Sequence, residues 1–149
     1  MRPALSLIAS ILLGTTLMAA DITGTWKLNV AKSRLCNPVQ SYVMKIQKTA
    51  PMTYRCSFDI VGANGEKRHN EIIRIADGKE HAMLGVNLRP GASEIVSEDN
   101  LKVIRKRDGK VVLEMNIKFS PDGKSHEVAT TGVDANGKSF TELNVFERP

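Results

Sequence analysis

Apolar and polar residues alternate along most of this chain, and turn residues recur at short intervals. The first stretch sets the pattern. Ile22, Gly24, Trp26, Leu28 and Val30 fall on one side, and Thr23, Thr25, Lys27 and Asn29 on the other. A period of two is the mark of a strand with one buried face. The pattern returns at Tyr42, Met44 and Ile46. It returns again at Met52, Tyr54, Cys56, Phe58 and Ile60, after a break at Ala50-Pro51. Further strands are predicted near 68–76, 80–86, 93–97 and 101–107. Then Val111, Leu113, Met115, Ile117 and Phe119 share a face, followed by a more polar strand over 125–132 and a last one over 139–147. Asn64-Gly65, Asp77-Gly78, Asp108-Gly109, Asp122-Gly123 and Asn136-Gly137 punctuate the series. Such pairs accept the positive φ angles of tight hairpins. No helix is predicted between 21 and 149.

Tight turns make sequence neighbours antiparallel. One apolar face per strand then requires a sandwich or a closed barrel, and a simple meander closes most directly into an up-and-down barrel. The expectation is an all-β, antiparallel up-and-down barrel of about eight to ten strands, in one domain over residues 21–149. No linker, repeat or low-complexity segment divides it.

The first twenty residues are of another kind. Arg2 is their only charge, Leu5–Leu13 is mostly apolar, and Met18-Ala19-Ala20 ends the run. A short positive start, a brief apolar run and small closing residues read as a secretory signal over 1–20, cleaved after Ala20. It is too short and interrupted for a membrane span, so no span is expected once it is removed. The expected location is secreted or periplasmic. In that setting Cys36 and Cys56 are expected to form a disulfide. It would close a loop with 19 residues between the partners and contribute about 3 kcal/mol.

Charge and chemistry narrow the function by subtraction. The formal net charge is +5, of which Arg2 supplies one. Basic residues are scattered, their one cluster being Arg105-Lys106-Arg107, and aromatic residues make up 5%. That does not make the basic, aromatic face that nucleic acids require. His69, His81 and His126 lie far apart without ligand spacing, so no metal or cofactor is expected. His69 and Glu71 on one strand face, with His81 on the next strand, form the nearest thing to a ligand set. No nucleophile elbow or glycine-rich phosphate loop occurs, and the chain is not expected to be an enzyme.

Gly24-Thr25-Trp26-Lys27-Leu28 opens the first strand, and Arg148 follows the last. Together they resemble the Gly-x-Trp opening and terminal arginine of lipocalins and fatty-acid-binding proteins. The run Gly24–Ser33 most resembles small secreted bacterial lipocalin-like proteins. The resemblance implies a structural closure by Gly24, Trp26 and Arg148, in which Trp26 closes one barrel end and Arg148 packs across it. It also matches Ile104–Gly109 to a hairpin of fatty-acid-binding proteins, whose carboxylate-clamping arginine would fall at Arg105. The rest of that clamp is replaced here by Asn144 and Phe146, and no room exists for a helical lid between the first two strands. The candidate cavity lining is Tyr54, Phe58, Arg105, Met115, Ile117, Asn144 and Phe146. Arg105 is expected to point outward; were it inward, a ligand carboxylate or Glu142 would have to balance it. The leading expectation is a barrel holding a small apolar ligand. The alternative is a packed barrel that contacts a protein partner in the cell envelope.

Overall fold

The computed structural model describes residues 21–149, so the proposed signal segment lies outside the described residues. Eleven strands form one antiparallel sheet. In chain order they are β1 (Gly24–Leu28), β2 (Val39–Ala50), β3 (Thr53–Gly62), β4 (Lys67–Ile75), β5 (Asp77–Ala82), β6 (Leu84–Val86), β7 (Ala92–Ser97), β8 (Lys102–Arg107), β9 (Lys110–Phe119), β10 (Ser125–Val133) and β11 (Ser139–Glu147). The only helical turn among the described residues is a short 3-10 turn, Val30–Lys32. It lifts Val30 out of the first strand's apolar face and leaves it exposed.

Neighbouring hairpins build most of the wall, and β1 joins β11 to β2. The remaining gap lies between β4 and β7, and the segment Asp77–Val86 spans it. Its first half, β5, pairs with β7, and its second half, β6, pairs back onto β4. The result is a nearly closed barrel. The strand expected over 80–86 is therefore two strands, and the total exceeds the expected ten by one. Met83 is the bend, its backbone N–H bonded to Ala92 O at 2.9 Å. Gly85 lets β6 lie close to β4, since a Cβ there would collide with the Glu71 carbonyl.

Local chemistry explains the other joints. Asp108 and Gly109 both have positive φ, 49° and 76°, which is the hairpin geometry the Asp-Gly pair permits. In the β8–β9 ladder Arg105 faces Leu113 but Lys106 faces Val111, so Val112 is an extra residue. This bulge turns Val111 out of the apolar series, and it is 50% exposed. Met52 is not in a strand either; it takes φ 53° in the β2–β3 turn.

The core gathers Trp26, Leu28, Met44, Ile46, Cys56, Ile72, Val128 and Phe146 from β1–β4, β10 and β11. The expected Cys36–Cys56 disulfide is absent; both cysteines are free. Cys56 is a buried core residue on β3. Cys36 is exposed in the loop that runs beside β11, where its thiol donates to Thr141 O at 3.4 Å. Two strands, β1 and β2, separate β11 from β3. At about 4.8 Å per strand step the two are roughly 14 Å apart along the wall, far beyond disulfide reach. Spacing along the chain did not carry this information.

Two measurements test this architecture. Gly85→Ala is expected to destabilise the barrel by about 2–3 kcal/mol in urea unfolding, because the backbone of β4 must give way. Gly65→Ala should cost only about 1 kcal/mol, since nothing lies within 4 Å of its added methyl and only the positive φ is strained. In the folded protein a maleimide should label Cys36 alone, and reductant should leave the mass unchanged. Cys56 should react only after unfolding.

Candidate functional site

The tryptophan end is built from β1, the β9–β10 turn and the chain end. Trp26 is fully buried, and its indole N–H donates to Ile22 O at 2.8 Å. The Arg148 guanidinium stands 4.0 Å from the indole centroid. It donates to Thr23 O, Asp21 O and Gly123 O. It thus ties the segment before β1, the β9–β10 turn and the indole into one closure. Gly24 permits it: a Cβ there would stand 2.9 Å from the Arg148 guanidinium, and its φ is +108°.

His126 completes the closure, a role the sequence did not reveal. It lies on β10, in the strand that reads as polar. Its ring meets Trp26 edge-on at 4.3 Å, stacks on Phe146 at 5.2 Å and tilts against Phe119 at 5.2 Å. Both ring nitrogens are buried without a hydrogen-bond partner. Burial, assisted by the Arg148 charge, lowers its pKa from 6.5 to about 4. The residue is therefore a neutral aromatic wedge at ordinary pH.

Two chambers lie inside the barrel. The central one, about 330 Å³, takes in Phe58, Met115, Ile117, Asn144 and Phe146 together with Arg105. The end chamber, about 470 Å³, lies at the tryptophan end and takes in Tyr54 and again Ile117. All seven candidate lining residues therefore face the interior, but Tyr54 faces a different chamber from the other six that line the centre. Ile22, Ile46, Arg74 and Ile117 border both and form the waist between them.

Arg105 faces inward, against expectation, and its partner is not Glu142. The alternation along β8 puts it beside Val103, which is 1% exposed. Across the β7–β8 ladder it lies opposite Glu94. Glu94 is buried and accepts from Arg74 Nε at 3.1 Å, while Arg105 Nη2 stands farther off, at 3.4 Å. Glu142 instead accepts from the backbone N–H of Cys36 at 2.9 Å. Burial opposes the charge on Arg74, but Glu94 beside it, with Cys56 and Tyr42, more than compensates and its pKa is raised. Arg105 goes the other way: burial first, then repulsion from Arg74, lower its pKa despite Glu94. Two guanidiniums thus share one carboxylate. Arg105 is the under-compensated one, and its Nε is buried without a partner. Tyr42 borders the same space, and burial pushes its phenol up to about 12, so it is a neutral donor. Asn144 Oδ1 is a second unpartnered atom in the central chamber.

His69 and His81 do not come together. His69 bonds to Asp59 at 2.6 Å, and His81 to Asp77 at 2.9 Å. Among the described residues no group of three His, Cys, Asp or Glu side chains is placed to hold a metal ion. Nor is any described helix long and apolar enough to cross a membrane. No protein-family model, curated protein or solved structure matches the chain.

The His126 wedge gives a pH signature. The unfolded chain takes up its proton near pH 6.5 and the folded chain only near 4. Stability from this group is therefore whole above about pH 6.5, falls between 6.5 and 4, and levels off below. The span is about 3 kcal/mol. His126→Phe should keep the aromatic packing and flatten this part of the curve, read as the difference in urea midpoint between variant and parent from pH 8 to pH 4.

Proposed function

We propose that this protein is an extracytoplasmic, non-enzymatic barrel of the lipocalin-like kind, which carries or sequesters a small, largely apolar ligand with an acidic end. The observation that carries the reading is the central chamber: apolar walls of Phe58, Met115, Ile117 and Phe146 around an under-compensated Arg105. Apolar walls supply most of the binding free energy, and a few placed polar groups orient the ligand. A buried cation without its full complement of partners is costly. A ligand carboxylate beside Arg105 would relieve that cost, and the neutral Tyr42 phenol borders the same space as a further donor. Gly24, Trp26 and Arg148 support the lipocalin-like part of the reading, since they meet as that resemblance implies. The alternative, an interaction barrel without a small ligand, has one observation in its favour. Leu84 and Val86 are 57% and 52% exposed on the short edge strand β6.

The test is native mass spectrometry of residues 21–149 exported to a periplasmic host, followed by titration with decanoate. The expected result is a one-to-one adduct, with Arg105→Met weakening it by roughly tenfold to a hundredfold, the range for losing a charge-assisted contact. Decanol, lacking the charge, should bind parent and variant alike. Absence of any adduct with decanoate or decanol would overturn the reading and favour the interaction barrel.

A further inference from the structure

The end chamber has a different character from the central one. Its walls are Ile46, Ala76, Val96, Leu101, Val103 and Ile117, carried by β2, β7, β8 and β9 and the joints beside them. Among the described residues the only guanidinium it meets is Arg74, which Glu94 already grips at 3.1 Å. Charged groups at its mouth are mixed: Asp21, Glu98 and Asp99 against Lys48 and Lys102. The carboxylates outnumber the ammonium groups, so no excess positive charge is left to draw an anion, unlike at Arg105.

A hydrogen bond crosses its mouth. Tyr54 on β3 donates to Glu98, in the β7–β8 turn, at 2.8 Å. Those segments belong to opposite sides of the β4–β7 gap and do not pair with each other. On the far side of the mouth, Asp21–Thr23 is held by Arg148 through two carbonyls. The end chamber meets the central one along Ile22, Ile46, Ile117 and the clamped Arg74, which line both.

We infer that the end chamber is a second, independent binding site, which takes an uncharged apolar molecule while the central chamber holds the acidic one. The Tyr54–Glu98 bond is its latch. The inference rests on the reading of the barrel as a container, but it concerns the space at the tryptophan end, whose other lining residues differ from those of the central chamber. Chemistry assigns the occupants. An anion entering the end chamber would give up water and pass Asp21, Glu98 and Asp99, which outnumber Lys48 and Lys102 at the mouth, whereas an apolar body loses nothing on that account.

The experiment uses two probes together: phenylnaphthylamine, an uncharged fluorophore that brightens in apolar surroundings, and decanoate. Native mass spectrometry should show a ternary complex carrying one of each. Saturating decanoate should change the fluorophore's affinity by less than about threefold. Ala76→Phe and Val96→Phe, each filling the end chamber, should weaken the fluorophore by more than about tenfold and leave decanoate binding intact. Tyr54→Phe should speed fluorophore release. Should the filling variants fail to fold, amide shifts in the parent protein decide instead. The fluorophore should move Tyr54, Cys56, Val96 and Val103, and decanoate Tyr42, Arg105 and Thr130. Mutual displacement, or shifts on the same residues, overturns the inference. So does decanoate binding without fluorophore binding, which leaves the container reading standing. Fluorophore binding without decanoate leaves the second site standing and removes the acidic ligand. If neither binds, both readings fall.

Discussion

The buried Arg74–Glu94 pair is the contact on which the rest of the molecule depends. β4 and β7 are the two strands that the ladder does not bring together. Only β5 and β6 bridge them, each paired on one side. Arg74 and Glu94 cross this gap from within, with side chains 14% and 5% exposed. A buried ion pair is weak as a source of net stability, because desolvation offsets most of its attraction. Its value lies in geometry. Removing Glu94 would strand two cations in the interior, a loss of about 3–5 kcal/mol, so the pair fixes which residues of β4 and β7 face each other. The same guanidinium forms part of the waist. One contact therefore closes the wall, divides the interior, and leaves Arg105 as the excess charge.

Much of this fold can be read from the chain. The alternation in 22–28, 42–46, 54–60 and 113–119 reports burial on one face, which each strand settles locally. The Asn-Gly and Asp-Gly turns report backbone angles, also local. Gly24, Trp26 and Arg148 are legible only through resemblance, because the span between them is closed by the last step of the meander. What is not legible depends on register. Glu94 reads as a surface residue in a short, mixed strand until pairing sets it opposite Arg105. His126 sits in a strand with a polar composition, yet its neighbours across the ladders are Phe119 and Phe146. The break at Met83 also eluded the pattern, since 82–86 is continuously apolar and holds no proline or turn pair to split it. Its division follows from the need to reach both β7 and β4.

The cysteines show the same limit from the other side. An even pair in an exported chain is ordinarily read as a bridge, and the loop length is favourable. Yet each thiol is settled by its own surroundings. Burial raises the Cys56 pKa in the core, while desolvation and the Glu142 carboxylate raise that of Cys36 on the outside. Both are therefore held as thiols, poorly suited to attack a disulfide. The barrel relies on its aromatic closure and on the Arg74–Glu94 pair where a cross-link was expected.

Closure at one end and charge at the waist pull in different directions, and the interior records the compromise. The aromatic group of Trp26, Phe119, His126 and Phe146 is packed tightly enough that a histidine enters without a hydrogen bond. A few residues away along the same barrel, apolar walls surround open space, and a guanidinium lacks its full complement of partners. A protein selected only for stability would fill that space and remove Arg105, since well-packed apolar residues commonly match or exceed buried charges. Molecules that bind the folded state add RT ln(1 + [L]/Kd) to its stability. A ligand that seats an anion beside Arg105 would relieve the strain at its point of origin, and occupancy and folding would then be coupled through the same residue. On the proposed reading, the imperfect interior is a folded state that its ligand would complete.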